Sequence, residues 1–375
     1  MSKLIKNHWT RRSGEAFERA EILHAATAPE GLDVDRVRFE ESGRLYVDAG
    51  IGNLITVLRG TAKLLREREK PLQLAAGSHL YVPPDLAVEL QAQAGAEIVR
   101  VSSPVREQAR GKKLLLRDEA FLWACATGGQ SLRWMLTPQY LSRRAFLHHD
   151  ETLLSKAGHP VSWFHTTMFE VEGLPANEDG ESVFKMSYNS RTEFNVLYDV
   201  TGKARVRMAQ HPYKVLGQKW AEWRDLDGDT TYHLDEASGG PEEEKISGGS
   251  LRNKHEVFSR GGHVSLMCLF DPAPTGVERH RPGEYSDYEP IEDVVARPEY
   301  AVHQREVGRF DAMVDRLSIA KAEGGLDALK DTPEWSCFVE GQAAQTALEA
   351  AMLRGLAGED QGRERVIARW TRPVE

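Results

Sequence analysis

The chain has 375 residues, 41% of them hydrophobic, and carries 48 basic against 57 acidic side chains for a formal charge of −9. That length suits two or three globular domains. The acidic balance argues against nucleic acid or an anionic membrane as partner, since both recruit a basic face. No run approaches the roughly 18 apolar residues of a membrane span, and the opening MSKLIKNHWTRRSGEAFERAEIL lacks the apolar core of a signal peptide. Cys125, Cys268 and Cys337 are scattered and form neither a CxxC pair nor a zinc spacing. They read as reduced thiols of a cytoplasmic protein.

In chain order, the first element is an all-β region from about Val34 to Ser103. Short runs such as VDRVRF, NLITVLRG, SHLYVPP and AEIVRVSS recur there between Gly, Pro and polar turns, a rhythm that predicts a sandwich or barrel. A connector follows from Arg106 to about Ser155, in which RDEAFLWACA predicts a short helix. His148-His149-Asp150 in this connector looks metal-like in print. Adjacent residues of a strand point to opposite faces, however, so it reads as solvated. A second all-β region runs from about His159 to Pro274, interrupted by the Gly- and Glu-rich SGGPEEEKISGGS, which reads as a solvated loop or a lid.

The last segment is helical in pattern. Phe310, Met313, Val314 and Leu317 share one helix face within Glu306 to Glu323, and Gly324-Gly325 stops that helix. Asp331-Thr332-Pro333-Glu334 then predicts a capped start, with Thr332 as cap and Pro333 in the first turn, of a helix running to about Ala357. These helices are expected to lie against the second β region or a second subunit.

Two pairs of short motifs give the chain its resemblance. Asn53-Leu-Ile-Thr-Val-Leu-Arg-Gly60 and Gly77-Ser-His-Leu-Tyr-Val-Pro83 lie in the first β region; Asn195-Val-Leu-Tyr-Asp-Val-Thr-Gly202 and Ser250-Leu-Arg-Asn-Lys-His255 lie in the second. In this spacing the sequence resembles the cupin superfamily, as a two-barrel bicupin with degenerate metal motifs. The resemblance implies a mainly β protein: two cupin (double-stranded β-helix, jelly-roll) barrels and a C-terminal α-helical extension. Its division is residues 1–105 for the first barrel, 106–155 for the connector, 156–290 for the second barrel and 291–375 for the extension.

Cupins hold one divalent metal with two histidines, a glutamate and a third histidine. Asn53 stands at the glutamate position of the first barrel and Val88 at its third histidine, so that barrel is expected to be structural, a dimerisation unit or an apolar pocket. In the second barrel Asn195 takes the glutamate position, with Glu193 one inward-facing step away, and Tyr188-Asn189-Ser190-Arg191 replace the histidine pair. His255 keeps the third-histidine position.

Arg191, Glu193 and Asn195 alternate onto one strand face. Turned inward without partners they would cost several kcal/mol, so they must pair with one another, with His255, with a metal or with a ligand. The expected catalytic set is His255, Glu193 and His165, the last on an aromatic-flanked strand where a core role is the alternative. Arg191, Tyr188, Asn195 and His211 are the expected substrate contacts. If a metal is present, His255 and Glu193 hold it with His165 or His211, a set suited to iron, manganese or zinc. Two functions stay open: an oxygenase, isomerase or lyase acting on a small polar or anionic metabolite, and a non-catalytic binding or scaffold protein. A homodimer is expected. P-loop, GxGxxG and GxSxG signatures are absent.

Overall fold

The structure is a computed structural model and describes residues 3–23, 33–66, 69–103, 113–121, 124–127, 130–134, 152–153, 167–173, 181–186, 192–200, 203–208, 222–234, 255–260, 264–271, 277–279, 287–288, 312–336 and 338–339. Strands β1 (Lys3–Lys6), β2 (Trp9–Thr10) and β3 (Phe17–Leu23) precede a run of eight. These are β4 (Asp33–Phe39), β5 (Gly43–Val47), β6 (Gly52–Arg59), β7 (Thr61–Leu65), β8 (Leu72–Ala75), β9 (Ser78–Val82), β10 (Val88–Ala92) and β11 (Glu97–Ser103). They pair antiparallel in two sheets, β9-β6-β11-β4 and β5-β10-β7-β8. Apart from β7 and β8, neighbouring strands are non-consecutive, which is the interleaving of a jelly roll.

A second run repeats it. After β12 (Leu115–Asp118), β13 (Ala124–Thr127), β14 (Gln130–Trp134) and β15 (Thr152–Leu153) come β16 (Thr167–Gly173), β17 (Glu181–Met186), β18 (Thr192–Val200), β19 (Lys203–Met208), β20 (Arg224–Leu226), β21 (Thr230–Leu234), β22 (His255–Arg260) and β23 (Val264–Asp271). Their sheets, β21-β18-β23-β16 and β17-β22-β19-β20, have the order of the first set strand for strand. The chain is therefore mainly β, with two jelly-roll barrels of cupin type. Short β24 (Val277–Arg279) and β25 (Asp287–Tyr288) join β15 in a small separate sheet. No described helix is long and apolar enough to cross a membrane.

The first barrel closes over Val37, Phe39, Leu45, Val47, Ile55, Val57, Leu64, Leu72, Leu80 and Leu90, contributed by both of its sheets. Each such side chain contributes about 1.5–3 kcal/mol of burial. Along β6 the odd positions Ile55 and Val57 join this interior, yet the even positions Leu54, Thr56 and Leu58 are buried as well. A sheet covered on both faces reads as a continuous apolar run rather than an alternating one, which accounts for NLITVL. Two glycines of the paired motifs are fixed by backbone geometry. Gly60 turns from β6 into β7 at φ +70°, and a Cβ there would sit 2.8 Å from the Ala96 Cα. Gly77 has φ +83° and donates its N–H to the Val57 carbonyl at 2.9 Å.

The barrels exchange edge strands. β1 pairs with β21 at the edge of the second barrel's large sheet, and β12 pairs with β9 at the corresponding edge of the first. β3 and β2 extend the opposite edge of the first sheet; β14 and β13 do the same for the second. Each half therefore has its outermost strand in the other half's sheet.

Helix α1 (residues 312–322) buries Met313, Val314 and Leu317 on one face, as their spacing predicts, and ends at Gly324 with φ +77°. Its position corrects the expectation that it lies on the second barrel or another subunit. Ala322 and Ile319 pack into the core of the first barrel, and α1 runs along β12. Asp315 Oδ1 accepts from the Leu116 N–H at 3.3 Å and from Arg117 Nη1 at 3.2 Å, while Ser318 Oγ accepts from the Asp118 N–H at 2.9 Å. The helix thereby satisfies edge amides that β12 does not give to β9. A second helical turn starts at residue 333, where Thr332 Oγ1 accepts from the Trp335 N–H at 3.3 Å, the predicted cap. Phe310 and the stretch up to Ala357 beyond residue 339 lie outside the described residues. The helix expected in RDEAFLWACA is a correction too. Only Glu119–Phe121 form a 3-10 turn, flanked by β12 and β13, because Leu115–Asp118 and Ala124–Thr127 are drawn into sheets.

Candidate functional site

Because the barrels share one topology, strand register shows which positions correspond. In the first barrel Asn53 on β6 stands opposite Val82, the last residue of β9, and opposite Ser102 on β11. In the second barrel the residue opposite the last residue of β21, Leu234, is Glu193, and its other partner is Phe270 on β23. Both strands bulge near their ends, with Leu58 extra in β6 and Tyr198 extra in β18. Asn53 and Glu193 each precede the bulged residue by five positions. Register therefore assigns Glu193 to the place of Asn53, and Asn195 to the place of Ile55, two residues off the alignment by glycine spacing. The two residues arise after the bulge: β18 runs one residue further past Tyr198 than β6 does past Leu58, and the gap to the next strand is one residue longer.

The histidine position needs no such shift. Val88 opens β10 opposite Val47, the last residue of β5, and His255 opens β22 opposite Met186, the last residue of β17. In the first barrel these positions are inner ones. Val88 packs against the apolar interior, and Asn53 is 1% exposed on the face it shares with Ile55 and Val57. Asn53 Nδ2 donates to the Ile51 carbonyl at 2.9 Å, and its Oδ1 accepts from Ser102 Oγ at 2.6 Å. At the same end Asp35 pairs with Arg100 and lies 3.8 Å from Arg19. The first barrel thus ends in a polar layer of paired side chains above a filled apolar interior. In the second barrel the register neighbours of Glu193 are the apolar Leu234 and Phe270, where the first has Val82 and Ser102.

Of the residues singled out by sequence, Glu193 and Asn195 fall on β18 and His255 on β22, in the two different sheets of one jelly roll. His165, Arg191, Tyr188 and His211 lie outside the described residues, as do His148-His149-Asp150 and the SGGPEEEKISGGS stretch. Among the described residues no group of three or more His, Cys, Asp or Glu is close enough to hold a metal ion.

A constellation that sequence reading missed sits between the barrels. Arg36 on β4 is fully buried and paired with Glu97, itself 2% exposed. Arg36 Nη1 donates to the Leu197 carbonyl at 2.8 Å, beside the β18 bulge, and also to the Gly228 carbonyl. Burial pulls the guanidinium below its ordinary pKa, opposed by the Glu97 charge and hydrogen bond. Arg38 reaches Asp229 at 3.1 Å and lies 4.1 Å from the centre of the Trp9 ring. In VDRVRF these arginines look like the solvent side of a strand, so only the covered outer face of the sheet reveals their role.

No protein-family model and no curated protein matches the sequence. Several solved structures are similar in shape. YlbA from Escherichia coli shares 11% identity over 72% of this chain and 89% of its own, with a TM-score of 0.46. A deletion mutant of Bacillus subtilis oxalate decarboxylase OxdC shares 10% over 80% and 83%, at 0.45. Vicilin from hazelnut, Corylus avellana, shares 10% over 74% and 87%, at 0.47. The fold rests on the strand order above, and these likenesses add no argument to it.

Proposed function

We propose that the second barrel binds a small polar or anionic metabolite and that the chain is a cupin-type enzyme acting on it, as an oxygenase, isomerase or lyase. One observation supports this most. Glu193 takes the register place of the family's glutamate, with apolar residues opposite it on both neighbouring strands, and His255 takes the place of the third histidine. A carboxylate turned inward, as Asn53 is in the first barrel, would cost several kcal/mol unless a partner is supplied. His255, Arg191, a cation or a bound ligand are the groups that could supply it.

In this reading Arg191 clamps a substrate carboxylate, with Tyr188, Asn195 and His211 as further contacts. Glu193 and His255, with His165, hold and move protons. The donor chemistry of Glu193 and His255, one carboxylate and one imidazole, also fits iron, manganese or zinc, with His165 or His211 completing the set. Bound there, such an ion would supply Lewis acidity or a site for dioxygen. The first barrel, with Asn53 and Val88 at the equivalent places, is structural.

Metal content of protein purified without added metal or chelator is the test. Near-stoichiometric metal that His255→Ala abolishes is the expected result. A second reading, a binding or scaffold bicupin without catalysis, is favoured by Tyr188-Asn189-Ser190-Arg191 standing where the histidine pair belongs. Metal-free protein whose ligand binding is unchanged in Glu193→Gln would decide for it.

A further inference from the structure

The N-terminal segment crosses from one barrel to the other within a few residues. β1 belongs to the second barrel's sheet and β2 to the first, with only Asn7 and His8 between them. Around this crossing, one turn of the second barrel, from Asp227 to Thr230, is held from several directions. Lys6 pairs with the Asp227 carboxylate. The Asn7 N–H donates to the Asp229 carbonyl at 3.0 Å, and Asn7 Oδ1 accepts from Thr231 Oγ1 at 3.3 Å. From the first barrel Arg38 takes the Asp229 carboxylate and Arg36 takes the Gly228 carbonyl, while Trp9 lies against both guanidiniums, 4.1 Å and 5.9 Å from the ring centre.

We propose that residues 3–10 are a strap, and the turn at Asp227–Thr230 its buckle, through which the two barrels open as one cooperative unit. Opening the second barrel alone strips β21 of β1 and leaves buried donors of Arg36 without their carbonyls. Neither barrel can therefore lose its structure without disturbing the other.

Native-state hydrogen exchange on the full chain, and on a variant lacking residues 2–6, tests this. In the full chain, amides of β6 and β11 should share one opening free energy and one denaturant dependence with those of β18 and β23. Removing the strap should speed exchange in β18, β21 and β23 at least about tenfold, with a weaker denaturant dependence, while β6 and β11 keep their rates. A peptide of residues 1–10 added to that variant should restore protection. Should the truncated chain not fold, the Lys6→Ala, Asn7→Ala double variant takes its place, with the same selective loss expected. The proposal fails if the barrels of the full chain already open separately, or if the second barrel keeps its protection in these variants.

Discussion

Arg36 has no exposed surface and balances its charge on Glu97 while donating to two carbonyls of the other barrel. Removing Arg36 leaves the buried Glu97 with only its longer contacts to Arg38, at 3.6 Å, and Arg59, at 4.0 Å, so Arg36→Met is expected to cost about 3 kcal/mol, the low end for a broken buried pair. Urea unfolding measures it, and the double variant Arg36→Met, Glu97→Leu should recover part of the loss because the buried carboxylate is removed with its main partner. Asp227 makes a second residue-level prediction. Burial pushes its carboxyl upward, but the hydrogen bonds from Lys6, Thr230 and the Asp229 N–H together hold it below its ordinary value. A depressed folded value means its stabilisation is fully present above the unfolded carboxyl range, about 3.9, and is lost as pH falls through the folded value. Asp227→Asn should accordingly lower the melting temperature at pH 7, with the difference from the parent shrinking as pH falls below the unfolded carboxyl range. Neither role was legible in sequence, since VDRVRF and DLDGDT are ordinary strand and turn patterns until the opposing barrel is placed on them.

Elements differ in how openly the sequence declares them. α1 was readable because a helix with one covered face must repeat its apolar residues at three- and four-residue steps, and Met313, Val314 and Leu317 do so before a stop at Gly324. What it covers was not readable, because that depends on Asp315 and Ser318 finding the free amides of a distant strand. RDEAFLWACA shows the opposite failure: its local preference is helical, and sheet pairing overrides it at both ends. Asp315→Ala tests the edge contact. It leaves the Leu116 amide without its acceptor and takes one carboxylate from Arg117, which keeps the Leu116 carbonyl, and a loss of about 1–3 kcal/mol is expected in thermal or urea unfolding. The loss should be accompanied by faster amide exchange in β12.

At the scale of the whole molecule, the duplication was visible in the paired glycine motifs, and the barrels they predicted are there. Register at the candidate site was less legible. Counting back from Gly202 lands on Asn195, because β18 runs one residue further past its bulge than β6 and the gap to the next strand is one residue longer, and only cross-strand partners reveal that Glu193 is the counterpart of Asn53. The reciprocal placement of β1 and β12 has a consequence for biosynthesis. Lys6 leaves the ribosome 221 positions ahead of Asp227, its partner, which at about 5–20 residues per second is a delay of roughly ten to forty seconds. Throughout that interval β1 has no sheet to join, and the lysines at its two ends help keep so short and bare a ribbon from pairing with neighbouring nascent chains.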